Sequence, residues 1–106
     1  MEVFVVKKFY RVTYDNDGIY EALRKQVSPS TWVSLLNSSA FTWLPKPDVY
    51  TRSNRSYFTS DGYFMFNSKT LPIIITYLDK SKIAVDTYDR LNHIIYMDKY
   101  QVITES

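Results

Sequence analysis

The chain has no cysteine, one histidine and two glycines among its 106 residues. Without cysteine there is no disulfide framework, no thiolate metal site and no thiol nucleophile. Two glycines, Gly18 and Gly62, are too few for a glycine-rich phosphate loop or a dinucleotide fingerprint. His93 has no second imidazole to share a metal with, and no Ser-His-Asp spacing surrounds it, so it reads as a residue of a turn. An excess of one charge is also missing. Thirteen Lys and Arg stand against eleven Asp and Glu, for a net charge of +2. That balance argues against general polyanion binding and makes nucleic acid the weaker partner class.

Long apolar runs are absent as well. The stretch from Leu71 to Ile75 falls far short of the roughly 20 residues of a membrane-spanning helix. Lys7 and Lys8 follow the first apolar stretch instead of preceding it, which is the reverse of a secretory signal. These features lead us to expect a protein of the cytoplasm, with no membrane, no metal and no cofactor.

What the chain does have is aromatic surface: ten Tyr, six Phe and two Trp. With 45% apolar and 23% charged residues the composition is that of a globular chain, and its length fits one domain over residues 1–106. Residues 3–14 favour a strand, since β-branched and aromatic side chains dominate both alternating sets; apolar groups on both faces predict a central strand. Asp15-Asn16-Asp17-Gly18 is turn chemistry, with Asp17 a candidate helix cap. Ile19, Ala22 and Leu23 then keep helical spacing, and Glu21 and Lys25 are four residues apart in the favourable order. Ser28-Pro29 predicts the start of a second helix, with Trp32, Leu35 and Leu36 on its apolar stripe.

Residues 40–57 read as a long ordered loop, because Pro45 and Pro47 oppose helix and Ser, Asn and Asp fill the turns. Thr59-Ser60-Asp61 supplies caps for a helix running to about Tyr77, which Pro72 should kink or split; the rival is a hairpin through Asp61-Gly62. Near the end, Ile83, Val85 and Thr87 alternate, Asp89 to Asn92 turn, and Ile94, Tyr96, Asp98, Tyr100 and Val102 alternate again, predicting a β-hairpin. The fold class expected is α+β: a small antiparallel sheet, made of the N-terminal strand plus a C-terminal β-hairpin, packed against two or three helices.

Between Trp43 and Phe58 the chain interleaves Trp43, Tyr50 and Tyr57 with Lys46, Arg52 and Arg55. Aromatic area beside planar, charge-assisted donors suits a protein hot spot. The same segment also serves as a loop anchored by its aromatics, or as a single-strand nucleic-acid surface. The final strand offers a second surface in Tyr96 and Met97. With helices on one face only, its apolar groups would lie uncovered and mark either a homodimer contact or a docking face. Asp pairs at 15/17 and 86/89 are placed as turn and cap residues usually are.

Phe9-Tyr10-Arg11-Val12-Thr13 on a first strand, followed by Ser56-Tyr57-Phe58-Thr59 entering a helix, resembles ADP-ribosyltransferases. In that family an early-strand Arg or His and a Ser/Thr-bearing strand hold NAD, and an acidic residue on a late strand activates the reaction. The resemblance implies those roles for Arg11, for Ser56 or Thr59, and for Glu105. The family's Gln-x-Glu pair has no counterpart, because Gln101 is followed by Ile103 two positions on. From the residues themselves we expect a small non-catalytic protein-binding module. It would be a stoichiometric inhibitor or adaptor of a larger macromolecule, of the kind phages and mobile elements encode. Its contacts would be Trp43, Tyr50, Arg52, Arg55, Tyr57, Tyr96 and Met97, and its partner a protein not yet identified. The alternatives are an NAD-binding domain like those transferases, and a nucleic-acid-binding module.

Overall fold

A computed structural model describes residues 8–49 and 54–105. The first strand, β1 (Phe9–Tyr14), turns sharply into the two-residue β2 (Asp17–Gly18). Asp15 and Asn16 hold φ of 48° and 71° between the paired Tyr14 and Asp17. Two successive left-handed residues make the turn whose twist matches an antiparallel pair, and Asp and Asn tolerate that region best after glycine. Asp17 is therefore committed to the strand pair and does not cap the helix that follows. The N-cap of α1 (Ile19–Gln26) is Gly18, with no side-chain hydrogen bond. The cap of α2 (Pro29–Leu36) is the expected one: Ser28 Oγ accepts the Thr31 N–H at 3.2 Å, with Pro29 next.

Within the segment read as loop the structure places a strand, β3 (Asn54–Phe58). It is a central strand, with β1 on one edge and β6 (Gln101–Glu105) on the other. The helix after it exists as expected, in pieces: α3 (Ser60–Met65), a π-helical turn (Phe66–Thr70) and α4 (Leu71–Ile74). Pro72 explains the middle piece. In a regular helix its ring would strike the carbonyl one turn back, and it has no N–H to offer. The wider turn, in which the Leu71 N–H reaches back five residues to Phe66 O, makes room for it.

The C-terminal hairpin is present with different strands. β4 (Ile83–Tyr88) does not pair with its successor. It crosses back to lie antiparallel along the whole of β1, from Phe9↔Tyr88 to Tyr14↔Ile83. The hairpin is β5 (Ile94–Met97) with β6, turning at residues 98–100. Among the described residues the sheet so formed is six-stranded and antiparallel, in the order β2-β1-β3-β6-β5 with β4 on the other edge of β1. The α+β class stands.

Both faces of β1 are covered, as its composition predicted. On one face Val12 joins Phe58, the α1 residues Ile19, Ala22 and Leu23, and Leu35, Phe41, Phe66, Ile74 and Leu78. The helices lie on this side. On the other face Phe9, Tyr57 and Val102 form a smaller cluster closed by Tyr88 and Leu91. Much of the aromatic surplus thus packs in or against the core, as with the partly buried Tyr10 stacked on Tyr63 at 4.4 Å and the buried Phe58 against Phe66 at 5.1 Å.

Candidate functional site

One edge of β1 is incompletely paired. Tyr10 pairs with Phe58 of β3, and Thr13 and Tyr14 pair with β2. Between these points the strands part and leave a cleft of about 850 Å³. Its apolar lining is Val12, Ile19, Trp32, Leu44 and Phe58, and its polar lining includes Asn54, Ser56 and Gln101. That is an ordinary size and make-up for a small-molecule site.

Arg11 occupies the parting. Asp86 stands opposite it on β4, yet the guanidinium turns the other way and donates to Ser56 O at 3.2 Å, above the Tyr57 ring at 5.9 Å. Among the described residues it forms no ion pair. Among the described residues the other cleft charges are paired: Arg24 meets Glu21 at 3.0 Å and Lys25 meets Asp17 at 3.5 Å. Helix α1 begins in the cleft wall, and the amides of its first turn receive no side-chain cap. Arg11 and that helix start give this wall a positive potential.

The cleft's far wall comes from β6. Gln101 lies in one cross-strand row with Phe58 and Tyr10 and is 1% exposed. Its Nε2 donates to Pro45 O at 2.6 Å and to Asp98 Oδ2 at 3.2 Å. Asp98 also accepts the Tyr96 hydroxyl at 2.7 Å and the Tyr100 and Gln101 N–H groups at 2.7 and 3.0 Å. Burial works to raise the Asp98 pKa, but these hydrogen bonds together outweigh it and hold the carboxyl below the usual range. The same bond, first among the causes, raises the Tyr96 phenol. A carboxyl whose folded pKa is depressed adds stability above its unfolded value, roughly 4, and loses it as pH falls through the folded one. The melting temperature should therefore drop as pH falls below about 4, and Asp98→Asn should flatten that drop. An equally steep fall in the variant would remove Asp98 from the account.

The residues expected to form a partner surface are spread around the sheet. Trp43 is half-buried, its indole N–H donating to Ala40 O and Thr70 Oγ1, both at 2.9 Å. Tyr57 is buried on the opposite face, edge-on to Tyr88 at 5.2 Å. Arg55 is exposed on that same face, beside a shallower groove of about 410 Å³ that it shares with Tyr88, Arg90 and Glu105. Tyr96 and Met97 sit on the edge strand β5, where Met97 is exposed together with Ile94 and Ile95. Tyr50 and Arg52 lie outside the described residues.

Of the residues named by the transferase resemblance, Arg11 and Ser56 meet in the cleft. Thr59 caps α3, accepting the Gly62 N–H at 3.1 Å and donating to Lys99 O at 2.6 Å. Glu105 pairs with Asn54 at the far end of β6 and lines the shallower groove. His93 is exposed in a turn with φ of 58°. Gln101 and Asp98 were not singled out from sequence. The available signal was a polar residue on the alternating set that also holds Ile103.

Among the described residues no group of three or more Asp, Glu or His could hold a metal ion, and no helix is long and apolar enough to cross a membrane. Compared with known proteins, the chain matches no family model, no curated protein and no solved structure.

Proposed function

We propose that this chain binds a dinucleotide of the NAD type in the cleft where β1 and β3 part. The observation that carries the reading is Arg11, a cation without a carboxylate partner among the described residues, held at the mouth of a cleft with aromatic walls. A pyrophosphate would take its charge from Arg11 and from the start of α1, and rings would pack against Trp32, Leu44 and Phe58. Support also comes from strand order. The strands that carry Arg11, Ser56 and Gln101 are adjacent in the sheet, as β1, β3 and β6. The reading is one of binding, not transfer. Glu105 lines the shallower groove, and the two cleft carboxylates among the described residues, Asp17 and Glu21, are paired with Lys25 and Arg24.

Titration with NAD while following thermal unfolding tests it. A ligand at 100 times its Kd stabilises the native state by about 2.7 kcal/mol, so the melting temperature should climb with NAD concentration. Arg11→Ala should remove the climb while remaining folded. Flat melting curves at millimolar NAD would sink the proposal, and a climb retained in Arg11→Ala would sink the assigned site.

A protein-binding module is the second reading, favoured by the exposed Ile94, Ile95 and Met97 on the open edge of β5. The pairing register slips between Ile94 and Tyr96, leaving Ile95 as an extra residue. Such a bulge spoils simple strand addition, so a partner would be held by side chains more than by a backbone ladder.

A further inference from the structure

We propose that the face of the sheet turned away from the helices docks an acidic segment of another protein. Arg55 and Arg90 would take its carboxylate, and Ile94 and Met97 would cover a neighbouring apolar side chain. The inference deepens the protein-binding reading above and is independent of the cleft. Strand register builds the surface. Arg55 stands opposite Thr104, and Thr104 opposite Ile94; in the next row Tyr57 stands opposite Val102, and Val102 opposite Met97. Opposed residues of antiparallel strands share a face, so these six side chains lie on the side of the smaller cluster that holds Tyr57 and Val102. Buried Tyr57 and Thr104 make the floor, while Arg55, Ile94 and Met97 are exposed. The bend between β4 and β5 brings the exposed Arg90 to the same groove.

Charge decides what this face takes. Among the described residues neither Arg55 nor Arg90 has an ion pair, although Glu105 borders the same groove. Lys8, by contrast, is spent on Asp89 at 3.1 Å. Two guanidinium groups against one carboxylate leave the groove an excess positive charge, and their planar donor forks suit a carboxylate. The apolar half excludes simpler occupants. An inorganic anion would leave Ile94 and Met97 in water. A nucleic-acid strand would bring its phosphates past Glu105 and over uncharged side chains, and Tyr57 is too buried to stack a base. From Arg55 to Ile94 is two strand spacings, about 10 Å, which roughly three residues of extended chain span. A segment with Asp or Glu at that remove from a large apolar residue meets both halves.

Selection of random dodecapeptides displayed on phage, with the full chain as bait, tests this. Peptides enriched on the wild type should carry Asp or Glu near an apolar residue. A synthetic copy of the leading peptide should lose roughly 10-fold or more in affinity on Arg55→Ala or Arg90→Ala. Arg55→Glu combined with Arg90→Glu should turn the selection to peptides bearing Lys or Arg. Both side chains are exposed, so these variants should melt with the parent. Enriched peptides without an acidic residue, or that bind the charge-reversed chain equally well, overturn this surface and leave the protein-binding reading standing. No enrichment overturns both. A dimer in sedimentation that Met97→Glu breaks would assign the face to a second copy. Oligothymidylate bound through Arg55 and Arg90 would assign it to nucleic acid, and either result overturns the proposal.

Discussion

Gly62→Ala should destabilise the protein more than the same change at its other glycine, Gly18. Gly62 is in the first turn of α3, where its N–H is held by the capping Thr59 hydroxyl. Thr59 in turn donates its own N–H to Tyr100 O at 3.0 Å and its hydroxyl to Lys99 O. The helix start is thus bolted to the turn between β5 and β6. A Cβ on Gly62 would overlap the Tyr100 carbonyl, which is backbone on both sides of the collision. Tyr100 cannot withdraw easily, since Asp98 holds its N–H and Gln101 begins β6. Overpacking a core typically costs about 1–3 kcal/mol when a side chain can yield, and more when backbone must move. Against a total stability of about 5–15 kcal/mol, that is a large share. We expect the melting temperature to fall by more than about 10 °C. Gly18→Ala is the control. Its Cβ would meet Arg11 Nη2 at 3.7 Å, an ordinary contact, and neither glycine has a positive φ. A Gly62→Ala variant melting within about 2 °C of the parent would show that α3 does not press on this turn.

Trp43→Ala is expected to cost about 3 kcal/mol or more, although sequence alone placed Trp43 among contact residues. Its ring meets Tyr100 edge-on at 5.4 Å and Phe58 at 6.2 Å. Its indole N–H completes a small network with Ala40 O and the fully buried Thr70 hydroxyl, which itself donates to Ala40 O. Removing the indole would loosen the run from Ala40 to Pro45 and with it the carbonyl that anchors Gln101. Urea unfolding separates the roles. A contact residue would leave the midpoint unchanged on truncation, whereas Trp43 should lower it strongly and Trp43→Phe by about half as much.

These positions show what the sequence could reveal and what it could not. Where structure was encoded over a few neighbouring residues, it was legible. Ser28-Pro29 marked a helix start because capping is a contact within one turn. Pro72 marked an interruption because its clash is with its own helix. β3 was missed because Asn-Arg-Ser-Tyr-Phe has only two apolar residues, and its status as a strand comes from β6 and β1, far off along the chain. β4 was given the wrong neighbour for a related reason. Alternation of Ile83, Val85 and Thr87 says that a strand exists, but the partner was selected by Phe9 to Tyr14, some seventy residues earlier. Of the cleft, Arg11 and Ser56 could be nominated from the transferase resemblance. Gln101 could not, since its meaning depends on Pro45 and Asp98 closing on its amide.

The parting between β1 and β3 divides the sheet into two groups of strands, joined among the described residues by the single pair Tyr10↔Phe58. The chain passes from the first group to the second at β3, back again at β4, and over once more at β5. It is threaded through its own weakest junction like a lace through paired eyelets. No single cut can release one group with all of its strands, and the first cannot be completed until β1 and β4, some seventy residues apart, have come together. Assembly therefore waits on distant encounters whose loop-closure entropy must be met first, which places this small chain among the slow folders for its length.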